Sequence, residues 1–126
     1  MKTLGVGRIA SISGRYYAMD RDKRWERIEK AFMAMVKGAG NKATDPLDAL
    51  RRSYEAGITD EFIEPVTIVD RSNEPVGLIR DEDAVIFCNF RADRAREMTM
   101  ALTDPSLERP SRSLAPRNLH YTTMTQ

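Results

Sequence analysis

Four arginines stand out in this chain by where they fall, not by their number. Arg91 and Arg94 follow the apolar run that ends in Cys88-Asn89-Phe90, and they open the next helical pattern. A helix N-terminus already carries about half a positive charge, so cations are misplaced there unless an anion sits nearby. With an anion present, amide hydrogens and guanidinium groups converge on it. The carboxyl end of a buried strand is also where open α/β sheets form ligand crevices. Arg15 and Arg21 bracket the aromatic loop Tyr16-Tyr17-Ala18-Met19-Asp20. An arginine fork grips a carboxylate or phosphate with two parallel hydrogen bonds, which lysine does not reproduce. The plainer alternative gives each arginine a local carboxylate: Asp93 for Arg91 and Arg94, and Asp20, Asp22 or Glu26 for Arg15 and Arg21. Spacing alone leaves both readings open, a small-anion site and a set of solvated surface pairs.

The other chemistry-bearing residues point to plainer roles. Cys88 is the single cysteine, so neither an intramolecular disulfide nor a multi-cysteine metal cluster is available. It lies in an apolar run and is expected to be a buried small hydrophobe. His120 is the one histidine and falls in a predicted strand, where packing or an edge position accounts for it. One histidine does not furnish a transition-metal ligand set, although carboxylates alone hold magnesium. The sequence has no glycine-rich phosphate loop and no Gly-x-Ser-x-Gly elbow. Tyr16, Tyr17 and Trp25 sit near cationic residues and are able to stack on bases, but Trp25 fits the apolar face of its helix.

The elements that must position the arginines are an alternation of strands and helices, which gives an α/β fold class. Arg8 to Ser13 alternates as a strand, and residues 14–21 read as a loop. Asp22 is expected to cap a helix whose apolar face holds Ile28, Ala31, Phe32, Met35 and Val36. Gly38 ends it. Asp45-Pro46 starts a second helix, with Leu47, Leu50 and Tyr54 as its buried stripe, closed by Gly57. Val66 to Val69 is a strand, and Asn73-Glu74-Pro75 marks a turn. Ala84 to Phe90 reads as a strand covered on both faces. A helix through Ala92, Ala95, Met98 and Leu102 stops before Pro105, and Leu119 to Met124 forms a last strand. Met1 lies close to the first strand and Gln126 follows the last one, so a layered α/β/α sheet domain is expected in incomplete form.

The chain has 126 residues, 41% hydrophobic and 31% charged, which suits one globular domain. Its 20 basic side chains nearly cancel 19 acidic ones, for a net charge of +1. A nucleic-acid module normally carries a clear basic excess, so no nucleic-acid partner is expected. No apolar run approaches the roughly 18 residues of a membrane helix, and no secretory signal follows Met1. Cytoplasmic location and no membrane partner are the default expectations.

The run from Ile9 through Gly14-Arg15-Tyr16-Tyr17-Ala18-Met19-Asp20-Arg21-Asp22-Lys23-Arg24-Trp25-Glu26-Arg27 closely resembles the cofactor-independent phosphoglycerate mutase family. Further pieces agree in order: Lys37 to Gly40, Tyr54 to Pro65, Asp83-Ala84-Val85-Ile86-Phe87-Cys88-Asn89-Phe90-Arg91-Ala92-Asp93-Arg94-Ala95-Arg96, and Tyr121 to Gln126. The resemblance spans nearly the whole chain. Ala92 stands where proline is commonest in the family, and alanine should preserve the helix start.

The resemblance implies a share in interconverting 3-phosphoglycerate and 2-phosphoglycerate, in glycolysis and gluconeogenesis, through a phosphoserine intermediate. It implies that Arg15, Arg21, Arg91 and Arg94 contact the substrate. It also implies a partner, a phosphatase-like domain with the serine and two manganese ions; nothing in this sequence matches that serine or the manganese ligands. A histidine and an Arg-Asp pair that the family adds upstream are absent as well. The 126-residue chain is therefore expected to be a partial substrate-binding domain, inactive alone and binding no manganese itself. Marginal stability or self-association is expected with it, since a sheet lacking strands exposes edges and apolar faces. The alternative is a stand-alone, non-catalytic binder of small phosphorylated or carboxylated metabolites.

Overall fold

A computed structural model describes residues 3–125. Met1 and Gln126, placed near the first and last strands by the sequence, lie outside the described residues. In chain order the elements are β1 (Ser11–Ile12), α1 (Arg15–Ala18), α2 (Trp25–Lys37), β2 (Asn41–Ala43), α3 (Pro46–Glu55), β3 (Val66–Ile68), β4 (Ala84–Phe87), α4 (Ala92–Thr103) and β5 (His120–Thr123). The α/β class holds, with the strands divided between two small sheets. In one the order is β1-β3-β2, with β1 antiparallel and β2 parallel to β3. In the other β4 runs parallel to β5, from Ala84 opposite His120 to Phe87 opposite Thr123.

The main core is the seam between α2 and α4. Ile28, Ala31, Phe32 and Val36 interlock with Met98, Ala101 and Leu102, as the helical spacing of both segments requires. Gly38 closes α2 at φ 66°, a left-handed conformation that favours glycine. The buried Thr67 hydroxyl donates to the Ala39 carbonyl at 3.0 Å, tying β3 to the end of α2. Asp45 caps α3 by accepting the amides of Leu47 and Asp48, with Pro46 at the first position as the sequence predicts.

Several expectations fail for identifiable reasons. Leu47 and Tyr54 are exposed; α3 packs mainly by Ala49 against β2 and β3, and its other side faces solvent. β4 is not covered on both faces. Among the described residues its only strand partner is β5, one face meets the core through Phe87, and Ile86 on the other is 70% exposed. Cys88 follows it out and is exposed instead of buried, as is Phe90 at 78%. Residues 15–18 form a single helical turn within the expected loop. The N-cap of α2 is Arg24, not Asp22, because Asp20 takes the local amides first.

Arg109 was not singled out by pattern, yet its side chain is 2% exposed. Its guanidinium lies 3.8 Å from the Phe32 ring centroid. It donates to Glu29 at 3.0 Å, to Ser111 Oγ at 2.6 Å and to the Ala101 carbonyl at 2.6 Å. It thereby fastens the segment after α4 onto both core helices. Removing one partner of a buried ion pair strands the other, at about 3 kcal/mol. Arg109→Ala is expected to lower unfolding free energy in urea by about that amount, with a smaller loss for Arg109→Met, which keeps the contact with Phe32.

Candidate functional site

The site grows from Asp20, which is 3% exposed. A buried carboxylate is tolerated only when hydrogen-bonded, and the local chain supplies the donors. Asp20 Oδ2 accepts the amides of Asp22 and Arg24, each at 2.9 Å. Arg24 Nη1 adds a bond to Oδ1 at 3.1 Å, and Arg27 Nη1 stands 3.6 Å away. Burial pushes the Asp20 carboxyl up, but the amides of Arg24 and Asp22 and the Arg24 guanidinium outweigh it and hold it below the usual range. The result is a fixed turn over residues 19–24, from which Arg24 folds back onto Asp20 and Arg21 reaches toward α4.

α4 presents its N-terminus to this turn. Arg91 is its N-cap, and the Arg91 amide donates to Asn89 Oδ1 at 3.0 Å. Asp93, in the first turn, lies between two arginines. Arg91 Nη2 reaches Asp93 Oδ2 at 3.0 Å, and Arg21 Nη1 reaches the same oxygen at 3.1 Å. Hydrogen bonds from Arg91 first and Arg21 second lower the Asp93 pKa to about 2. Arg94 Nη1 donates to the Met19 carbonyl at 2.8 Å, and its buried Nε has no partner.

Arg21, Arg91 and Arg94 therefore gather at one contact between two stretches far apart in sequence. Arg15 is held elsewhere, by an ion pair with Glu61, in a depression lined by Ser13, Gly14 and residues 59–62. The two places are one helical turn apart in the chain, since the Met19 amide donates to the Arg15 carbonyl at 2.9 Å. Gly14 makes the Arg15 position possible: a Cβ there would lie 2.3 Å from the Glu61 carbonyl oxygen. Tyr16 is not an open stacking platform, because Arg27 covers its ring at 3.8 Å and Tyr17 packs edge-on at 5.1 Å.

The expected local carboxylate for Arg91 is the one found, and Asp93 serves Arg21 too. Sequence reasoning missed Asp20 as the organiser, although aspartate that accepts the amide two residues on is a common turn device. It also missed Glu97, which lies one turn beyond Arg94 on the same helix and accepts the Lys23 amide at 2.8 Å.

The family model described as BPG-independent PGAM N-terminus matches residues 1–126. The chain belongs to that family. It is 61% identical to the 2,3-bisphosphoglycerate-independent phosphoglycerate mutase of Thermomicrobium roseum, over 80% of the chain and 19% of that relative. It is 51% identical to the protein so named from Clostridium novyi, over 100% of the chain and 24% of the relative. A solved structure titled as Leishmania mexicana phosphoglycerate mutase at low cobalt concentration superposes with a TM-score of 0.86 at 33% identity, covering 98% of this chain and 23% of that one. The chain thus spans about a quarter or less of the length of these relatives.

Among the described residues, no three His, Cys, Asp or Glu side chains converge to hold a metal ion. The residues present do not fit manganese, and no chemical step on them runs through it. Among the same residues, no helix is long and apolar enough to cross a membrane.

Asp93 is the most direct electrostatic readout of the arginine cluster. Its carboxyl carbon is expected to titrate by NMR near the lowered value of about 2. The pairing is complete above the ordinary aspartate range and is lost as pH falls through that value. Because Asp93 is partly solvated, Asp93→Asn should leave the thermal midpoint nearly unchanged.

Proposed function

We propose that this chain is the anion-holding portion of a phosphoglycerate mutase, and that Arg21, Arg91 and Arg94 retain the phosphoglycerate, with Arg15 contributing from its separate place against Glu61. What carries the reading is the meeting of Arg21 and Arg91 on one Asp93 oxygen, at 3.1 and 3.0 Å. Two guanidinium groups already aimed at one small acidic point need little rearrangement to take a ligand's carboxylate or phosphate. Arg94 supports it with an unused buried donor, Nε. The amide end of α4 adds its partial positive charge.

A phosphoglycerate carries a carboxylate and a phosphate, close to three negative charges near neutral pH. Several arginines offset the cost of desolvating them. In the complete enzyme of this reading, a phosphatase-like partner domain supplies the serine and manganese, and the reaction is an isomerisation through phosphoserine. The arginines hold the glycerate while its phosphoryl group is away, so that water does not intercept it. Closure of the two domains excludes that water. A cytoplasmic setting belongs to the same reading, as does the inactivity of the chain alone.

Isothermal titration with 3-phosphoglycerate tests it. Binding should weaken with added salt, and Arg91→Ala or Arg94→Ala should reduce affinity about tenfold or more, as expected for losing a charge-assisted bond. Arg91→Lys should recover only part of it. Equal affinity across these variants, or binding no tighter than that of sulfate, would overturn the assignment. The 126-residue chain supplied with manganese should interconvert the two phosphoglycerates no faster than a protein-free control.

A further inference from the structure

Arg21 reaches Arg91 only because the 19–24 turn is held on α4. Besides the bond from Arg21 to Asp93, two bonds cross that contact: Arg94 to the Met19 carbonyl and the Lys23 amide to Glu97 Oε1, both at 2.8 Å. Glu97 is 5% exposed, and its second oxygen, Oε2, is buried without a hydrogen-bond partner. A buried orphan oxygen is costly, and on an ionised carboxylate more so. The group within hydrogen-bonding reach of Glu97 is another carboxylate, Asp20.

Two adjacent buried carboxylates do not both carry charge without penalty. One proton resolves both problems. A protonated Glu97 donates its O–H to Asp20 and still accepts the Lys23 amide. The proton belongs on Glu97 because Asp20 already accepts two amides and faces two guanidinium groups, whereas Glu97 accepts one amide. Burial first, and the neighbouring Asp20 charge as well, push the Glu97 carboxyl up, while Asp20 is held down.

We propose that Glu97 is a positioning residue that, protonated on Oε2, donates to ionised Asp20 and so latches the 19–24 turn, and Arg21 with it, onto α4. The charged groups around the pair are Asp22, Lys23 and Arg24 from the turn, Arg27 from α2 and Arg94 from α4. The latch is whole between the lowered titration of Asp20 and the raised titration of Glu97. Below that window Asp20 takes a proton and loosens Arg24 and Arg27. Above it, two like charges face each other and the Lys23 amide bond opens. The consequence for substrate rests on the function proposed above; the latch itself does not.

Carboxyl-carbon NMR titration and amide hydrogen exchange on the 126-residue chain test it, with Glu97→Gln and Glu97→Leu. Glu97 is expected to titrate above the usual glutamate range. Lys23 protection, corrected for intrinsic exchange, should fall about tenfold through that titration. Glu97→Gln, whose amide donates to Asp20 at every pH, should keep the protection flat. Glu97→Leu should lack it throughout. The proposal is overturned if Glu97 titrates in the ordinary range without moving Lys23, or if Glu97→Gln loses protection with pH as the unaltered chain does. 3-Phosphoglycerate affinity should follow the same profile. If the amide profile holds while no form binds phosphoglycerate, the latch stands and the substrate reading fails.

Discussion

The arrangement around Asp20 depends on a single physical requirement, that a charge removed from water must be surrounded by donors. Asp20 meets it with amides from its own turn and with guanidinium groups from the start of α2. Those bonds fix the direction in which the chain enters α2, and α2 provides half of the main core. They also sort the arginines. Arg24 and Arg27 are turned onto the buried charge, and Arg21 is left to reach Asp93 on α4. The same carboxylate therefore governs a folding contact and the direction in which Arg21 is presented.

The near-neutral balance of the chain has a related consequence. Several of its arginines are paired with carboxylates: Arg15 with Glu61, Arg21 and Arg91 both with Asp93, Arg109 with Glu29. These pairs differ in kind. Arg109 is enclosed and works as part of the core, while the side chains of Arg21, Arg91 and Asp93 are 48%, 56% and 42% exposed. An exposed pair contributes little to stability, so it exchanges one anion for another at small cost. Pairing with Asp93 is thus compatible with ligand binding, because it keeps both arginines extended toward the same point without locking them there.

The helices were legible in the sequence because their signals are local: the periodic apolar face and Gly38 for α2, and Asp45-Pro46 for α3. Apart from β2, whose residues Asn41–Ala43 read as part of a polar connection, the strands were legible in position but not in environment. Whether β4 is covered depends on what lies against it, and nothing in residues 84–90 encodes that they have β5 as their one strand partner. Hence the misplacing of Cys88 and Phe90. Arg21, Arg91 and Arg94 were legible as types at unusual positions. Asp93 was legible as a local partner of Arg91, but the long-range contacts were not, since the link between Lys23 and Glu97 spans 74 residues and leaves no periodicity. Arg109 escaped for the same reason, as a charged residue in a Pro/Ser/Arg-rich stretch that patterning assigns to solvent.

The parallel β4–β5 pair shows where the stability of the site comes from. Two parallel strands alone are weak, and parallel sheets are normally covered on both faces. Here one face is anchored by Phe87 and Tyr121, whose ring centroids are 6.4 Å apart and which pack on the α2–α4 core. The Tyr121 hydroxyl also meets Thr99 of α4 at 3.3 Å. The end of β4 must hold residues 88–91 so that α4 begins beside the 19–24 turn, and it does so by leaning on the helix it introduces. Strand, helix and turn are therefore mutually supporting: loosening the α2–α4 seam would draw the 19–24 turn away from α4 and pull Arg21 off Asp93. The meeting of Arg21 and Arg91 on Asp93 is a property of the core seam first and of the arginines second.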